Sequence, residues 1–277
     1  MALCWPGSAF GQDASVAAAA APPPASQPNP GATASETEAE QLDIYCLRLA
    51  YPAITGMEYL PDGSQQLVFS SGIRVAYRHA PTAADKPQDA DVRTCMTELY
   101  PLEPARPETG TAGQIRSQAL LEALYGKGSA NVARQVQTAF VQGMPVRLSR
   151  PAALAVQKAD AYLVMAVRKE PQLYYWLRPD HSFERRMRPN EPVDPHCYGI
   201  ALDCASDMAP YREESQPASH PLRREYPSVI VTHMEGQGFI WGGKWAEYAF
   251  AHFEYRPELI YKATILRAVE QLTDWRY

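Results

Sequence analysis

No apolar run in this 277-residue sequence approaches the ~20 residues that a bilayer-spanning helix needs, so no membrane span is expected. Long basic runs are also missing, and the net charge is −5. A chain that binds nucleic acid through its phosphates normally carries a basic patch or stripe, so no nucleic-acid partner is expected. None of the five cysteines forms a Cys-x-x-Cys pair, which argues against a zinc knuckle built from thiolates. No internal repeat is evident.

What remains is ordinary globular composition, with 46% hydrophobic and 21% charged residues, in a chain long enough for one large domain or two small ones. Residues 1–36 read differently from the rest. "MALCWPGSAFGQ" has the apolar core and small-residue end of a secretory signal without its basic start, and the Ala/Pro/Ser/Gln run after it cannot bury enough apolar surface to fold. The expectation is a signal-like segment and linker over 1–36, a periplasmic or secreted protein, and a single domain over 37–277. That domain divides into an N-terminal part, 37–150, and a core, 151–262. A disordered cytoplasmic tail is the other reading of the first residues. Cys4 would leave with a signal, and Cys46, Cys95, Cys197 and Cys204 permit three pairings. A Cys46–Cys95 bridge is the pairing expected, with reduced, buried thiols as the alternative.

Along the chain, "SETEAEQLDIYCLRLAYP" has a capping-box spacing from Ser35 to Glu38 and an apolar helical face of Leu42, Tyr45, Cys46 and Leu49, stopped at Tyr51-Pro52. "MEYLPDGSQQLVFSSGIRVAY" alternates around turns at "PDGS" and "SSG", and "TAADKPQDADV" is a polar loop. Helices are expected over 114–125, 130–136, 152–168, in "YPSVIVTHMEGQG" and in the C-terminal "YKATILRAVEQLTDWRY". "TAFVQGMPVRLSR" reads as a hairpin with Gly143 in its turn; "YGIALDCA", "GFIWGG" and "AHFEY" read as strands. The class is α+β, a small antiparallel sheet flanked by helices.

Two of those strands hold polar residues where apolar ones are usual: His196 and Asp203 flank "CYGIAL", and His252 and Glu254 flank Phe253. Two histidines and an aspartate are the three protein ligands that a catalytic zinc takes while keeping a fourth position open. Residues seven apart on a straight strand face opposite sides, so His196 must lie on a turn before the strand, with Gly199 allowing the bend. His79, His181, His220 and His233 are read as ordinary core or surface histidines.

The spacing His196, Gly199, Ala201, Asp203, followed by "GFIWGGKW" and "HFEYRPEL", resembles the zinc-dependent D-alanyl-D-alanine carboxypeptidases, a family grouped with the lysostaphin and hedgehog folds. "CLRLAYPAITGMEYLPDG", "IRSQALLEALYG" and "SFERRMRP" extend the resemblance over roughly residues 40–260. It implies zinc held by His196, Asp203 and His252, and a peptidoglycan stem peptide as substrate. It also implies that Arg186 holds a substrate oxygen, a task that suits a planar guanidinium; Arg185 and Arg188 are alternative matches, and a surface arginine is the bland reading. Glu254 would orient the His252 ring.

One departure stands out. The family has Asp or Glu three residues before the last histidine, where it moves a proton from water to the leaving amine; here that residue is Ala249. Glu247 is the nearest substitute, but it lies ~7 Å along an extended chain, whereas a base must be within ~3 Å of its proton. Ala251 also replaces a larger apolar residue. The expectation is a zinc peptidase fold with impaired hydrolysis; the alternative is a non-catalytic, zinc-containing module that binds a cell-wall peptide.

Overall fold

The computed structural model describes residues 34–79, 90–185, 193–211 and 219–274. The signal-like segment and most of the linker, most of the polar loop after His79, and Arg186 and Arg188 lie outside the described residues. The fold is α+β with small antiparallel sheets.

Helix α1 (Ala34–Ala50) starts before the capping-box spacing suggests, and it buries a different face from the one that periodicity picks out. Cys46 and Leu47 are inside, but Tyr45 and Leu49 are exposed, and Glu40 and Asp43 are buried in their place. Each acid has partners that offset the cost of its burial. Glu40 accepts from Gln65 Nε2 and Arg78 at 3.1 Å each, and Asp43 accepts from the Tyr77 hydroxyl at 3.0 Å and pairs with Lys262 at 2.7 Å. A hydrophobicity pattern assigns such acids to the solvent side; here they tie the helix to the sheet beside it.

That sheet is a meander of β1 (Ile54–Tyr59), β2 (Gln65–Phe69) and β3 (Arg74–Arg78). At its first turn Asp62 accepts from the Ser64 amide at 2.9 Å. Short helix α2 (Val92–Met96), capped by Asp91, follows. Helix α3 (Gln118–Tyr125) is shorter than expected because the Ser117 hydroxyl caps it, accepting from the Leu120 amide, which leaves Gln114 and Arg116 in the segment leading in. Helix α4 (Ser129–Ala133) ends before the hairpin of β4 (Val136–Val141) and β5 (Met144–Ser149), which pair across six registered positions. Helix α5 (Arg150–Lys169) packs Val156, Ala159 and Leu163 inward, and α6 (Leu173–Trp176) follows it.

The remaining elements are β6 (Pro179–His181), β7 (Ala201–Cys204), α7 (Leu222–Glu225), α8 (Ser228–Glu235), β8 (Phe239–Trp241), β9 (His252–Tyr255) and α9 (Pro257–Asp274). Their strands form one antiparallel sheet in the order β6-β7-β9-β8. Strand alternation then sorts the side chains. Leu202, Phe239, Trp241 and Phe253 enter an apolar cluster with α5 and α8, each fully buried aliphatic or phenyl side chain contributing roughly 1.5–3 kcal/mol. Asp203, His252 and Glu254 therefore point to the other face, where Ile240, Trp245 and Leu259 join α1 and the meander in a second cluster.

Cys46, Cys95, Cys197 and Cys204 are buried and carry free thiols, so the Cys46–Cys95 bridge is not formed. Cys95 Sγ donates to the Asp91 carbonyl at 3.3 Å, and burial pushes the Cys46 thiol up to about 12 and that of Cys95 to about 11. No helix among the described residues is long and apolar enough to cross a membrane.

Candidate metal centre

The site begins at a turn. Asp194 accepts from the His196 amide at 2.9 Å and caps the 3-10 turn Pro195–Tyr198, with proline in its first position. Gly199 ends the turn at φ +64°, and a side chain there would come within 2.8 Å of the Ser149 amide nitrogen. The bend required between His196 and Asp203 is thus made at Gly199, and the chain leaves it directly into β7.

Asp203 lies opposite His252 on β9 and opposite His181 on β6, so three polar residues form one row across the sheet. His196 folds over that row from the turn. Ligand atoms of His196, Asp203 and His252 all lie within 4.8 Å of one another, and all three residues are buried. His252 Nδ1 is 2.8 Å from Asp203 Oδ1. His196 Nε2 is 3.3 Å from the same oxygen but makes no aligned hydrogen bond, and among the described residues it is one of two buried imidazole nitrogens with none, the other being His252 Nε2. Buried polar atoms rarely lack a partner without a reason. A divalent cation among these donors would engage His196 Nε2, Asp203 and His252 together, and a two-histidine, one-carboxylate set suits zinc.

The other side of each imidazole is supported. His196 Nδ1 is 3.0 Å from Asp194 Oδ1, the carboxylate–imidazole contact that fixes a ring and its tautomer. His252 Nε2 is 3.6 Å from Glu254 Oε2, just beyond hydrogen-bond range. Glu254 is fully buried and held by Arg116, whose Nε lies 2.9 and 3.0 Å from its two oxygens and whose Nη2 is at 2.5 Å. Burial alone would raise the Glu254 pKa, but the Arg116 guanidinium overcomes it and holds the carboxyl well below the usual range. Asp203 behaves likewise: burial works to raise its pKa, and the two histidines beside it bring it far down. Burial also opposes charge on His196, yet Asp194 and Asp203 raise it to about 9.

The triad opens into a cleft of about 460 Å³ lined by, among others, Gln114, Tyr211, Trp245, Glu247 and Ala249. Its wall, the segment 242–251, is pinned from several sides. Lys244 is buried against Glu235 at 2.5 Å, Arg223 donates to the carbonyls of Gly243 and Trp245 at 2.8 and 2.7 Å, and Trp241 Nε1 donates to the Phe250 carbonyl at 2.8 Å. Gly242 must lack a side chain because a Cβ would sit 2.7 Å from the Ala249 carbonyl oxygen. That oxygen accepts from the His252 amide at 3.0 Å, closing a turn that brings position 249 beside the histidine. Position 249 lines the cleft together with His196 and His252. Ala249 offers a methyl group.

Of the residues singled out from the sequence, His196, Asp203 and His252 converge, and Ala249 and Glu247 line the same cleft. Glu254 lies next to His252, and Arg186 lies outside the described residues. Arg185, one of its alternatives, does not line the cleft. Sequence reading passed over Asp194, Arg116, Tyr211 and His181. "DPH" is itself a turn-capping signal that would have found Asp194. Arg116 carries no such local signal, because its partner is 138 residues away. His181, read as an ordinary histidine, has its ring 4.3 Å from that of His196.

This geometry defines an α+β protein with a buried His/Asp/His centre of metal-binding type at the edge of a cleft. Residues 190–255, a minority of the chain, match the family model described as D-alanyl-D-alanine carboxypeptidase. Comparisons with curated proteins and with solved structures each gave no match. The matched stretch contains the whole triad and Ala249.

Proposed function

We propose that this is a zinc peptidase-fold protein that takes D-alanine-ending stem peptides of peptidoglycan outside the cytoplasm, with hydrolysis impaired by Ala249. The observation that carries this reading is the convergence of His196, Asp203 and His252 on one point of the cleft that Ala249 lines, inside the stretch similar to the carboxypeptidases. Those three residues would hold the zinc, which, when bound, supplies Lewis acidity toward a peptide carbonyl and a water molecule. The rest concerns the chain itself. Asp194 orients the His196 imidazole, Glu254 lies 3.6 Å from that of His252, and Arg116 keeps Glu254 ionised. The pinned segment 242–251 holds the cleft wall in place before any substrate arrives, which favours preorganised binding.

Proton transfer is the weak step. The leaving amine must gain a proton, and a methyl at position 249 cannot carry one. Glu247 also lines the cleft, but it is exposed and precedes the turn closed between Ala249 and His252, so it is a poor substitute. General acid–base catalysis contributes ~10²–10⁴-fold, and a protein without it is a slow hydrolase at best. The second reading, a non-catalytic module that holds a cell-wall peptide, is favoured by the same methyl group.

One pair of variants separates these readings. On a D-Ala-D-Ala-ending peptide, Ala249→Asp is expected to raise kcat/KM of the zinc-loaded protein at least ~10²-fold, whereas Glu247→Gln changes little. A fast parent protein that Glu247→Gln inactivates would make Glu247 the base. Peptide binding with no turnover in either protein would establish the binding module.

A further inference from the structure

Tyr211 sits at the mouth of the same site on a separate segment. Its backbone bridges that of Ala249 in antiparallel fashion, which sets its ring beside the position where the acidic residue is missing. Burial first, and then the nearby Asp203 carboxylate, raise the Tyr211 phenol well above its ordinary value, so it keeps its hydrogen. At the same time the residue is 43% exposed and lines the cleft, so its hydroxyl is within reach of a molecule bound there. The neighbouring peptide is fixed, because the Pro210 carbonyl accepts from the Phe250 amide at 3.2 Å.

We infer that Tyr211 is an oxyanion-binding residue of this cleft, its phenol O–H donating to the oxygen of a substrate carbonyl as negative charge gathers on it. The proposal rests on the peptide-binding reading above and adds a role that the loss of an acid at position 249 leaves intact. No proton changes hands: the phenol keeps its hydrogen and directs it to the substrate oxygen. Such a donor is of most value in a site shielded from water, where its hydrogen bond strengthens as charge develops. Asp203 retains His252 at 2.8 Å and would also face the cation. The geometry therefore separates two tasks. Stabilising an anion is assigned to Tyr211, and moving a proton has no fixed owner.

The test uses two probes on zinc-loaded protein by calorimetry. Acetohydroxamate, a small zinc-directed oxyanion, needs no peptide subsite. A phosphinate analogue of D-Ala-D-Ala needs both the oxyanion position and the subsite. Tyr211→Phe is expected to weaken both about 10-fold or more, with zinc stoichiometry, melting temperature and affinity for the unreacted peptide unchanged. Weakened hydroxamate binding in the variant, with no phosphinate binding even by the parent, would uphold Tyr211 while removing the D-Ala-D-Ala reading. Equal affinity of parent and variant for hydroxamate overturns the proposal. Loss of zinc or of melting temperature in Tyr211→Phe also overturns it, because the hydroxyl would then be holding the fold. A parent that binds neither probe overturns both readings.

Discussion

The two ends of the cleft are built to different standards. At the ligand end both imidazoles have a carboxylate on their far side, Asp194 behind His196 and Glu254 near His252, with Arg116 and Arg256 around Glu254. At the other end, position 249 stands on a fixed turn, with its amide donating to the Gly242 carbonyl at 3.0 Å and its own carbonyl accepting from the His252 amide. Its side chain is a methyl group. Neglect of the whole site would be expected to loosen both ends together. Here the backbone at position 249 is held as firmly as the ligand end, and on the reading proposed above only the proton-handling group is missing, which would fit a site kept for binding or for reduced turnover.

The contrast can be broken most directly at the ligand end. His252→Ala is expected to lose stoichiometric zinc after dialysis against metal-free buffer, because two of three protein ligands seldom retain zinc. Ala249→Asp is expected to keep it. Metal analysis of the two purified variants checks this, and full zinc in His252→Ala would move the metal elsewhere and leave the triad a hydrogen-bonded cluster.

Next in size is the support beneath the ligands. Removing the charge in Arg116→Met leaves Glu254, which is fully buried, with Arg256 at 3.5 Å and His252 Nε2 at 3.6 Å. Stranding one member of a buried ion pair costs ~3–5 kcal/mol. The remaining arginine should place this variant at the lower end of that range. Chemical denaturation measures it. If Glu254→Gln is combined with Arg116→Met, most of the loss should return, since no buried charge is then left unpaired. A loss that persists in the double variant would trace to packing of Arg116 on Trp245, whose ring centroid is 5.9 Å away.

The same contrast governs what the sequence made legible. The convergence of His196, Asp203 and His252 was readable because polar residues stand out in apolar strands and the strand period restricts which of them can share a face. Gly199 was readable because a bend was geometrically required. Arg116 was not, since its role depends on a partner contributed by a distant strand. The inner face of α1 was misread for a related reason: Glu40 and Asp43 are buried only because Arg78 and Lys262 come to them from other elements. Periodicity reports which residues avoid water on their own, and it is silent about charges that tertiary partners make burial tolerable for. The extent of α3 was misjudged on a smaller scale, where the Ser117 cap outweighed an apolar pattern that runs further back.

The smallest effect expected is a pH dependence of the metal-free protein. His196 is raised to about 9 by Asp194 and Asp203 despite its burial, against an ordinary histidine value of ~6.5. A raised folded-state pKa means that the protonated ring stabilises the fold fully below ~6.5, and that this contribution fades as pH climbs through about 9. Asp203, held below its ordinary value, has the opposite sign: its contribution is present above the usual carboxylate range and is lost as pH falls below it. In chelator, the melting temperature should therefore hold steady through mildly acidic pH and decline toward alkaline pH. Asp194→Asn keeps an acceptor for His196 but removes a negative charge, so the alkaline decline should begin nearer neutrality. Saturating zinc should abolish the decline in the parent, because the cation takes the proton's place between the histidine and the carboxylate. A metal-free parent whose melting temperature is flat across that range, with Asp194→Asn indistinguishable from it, would show that His196 is not held protonated by its neighbours, and that Asp194 only caps the turn.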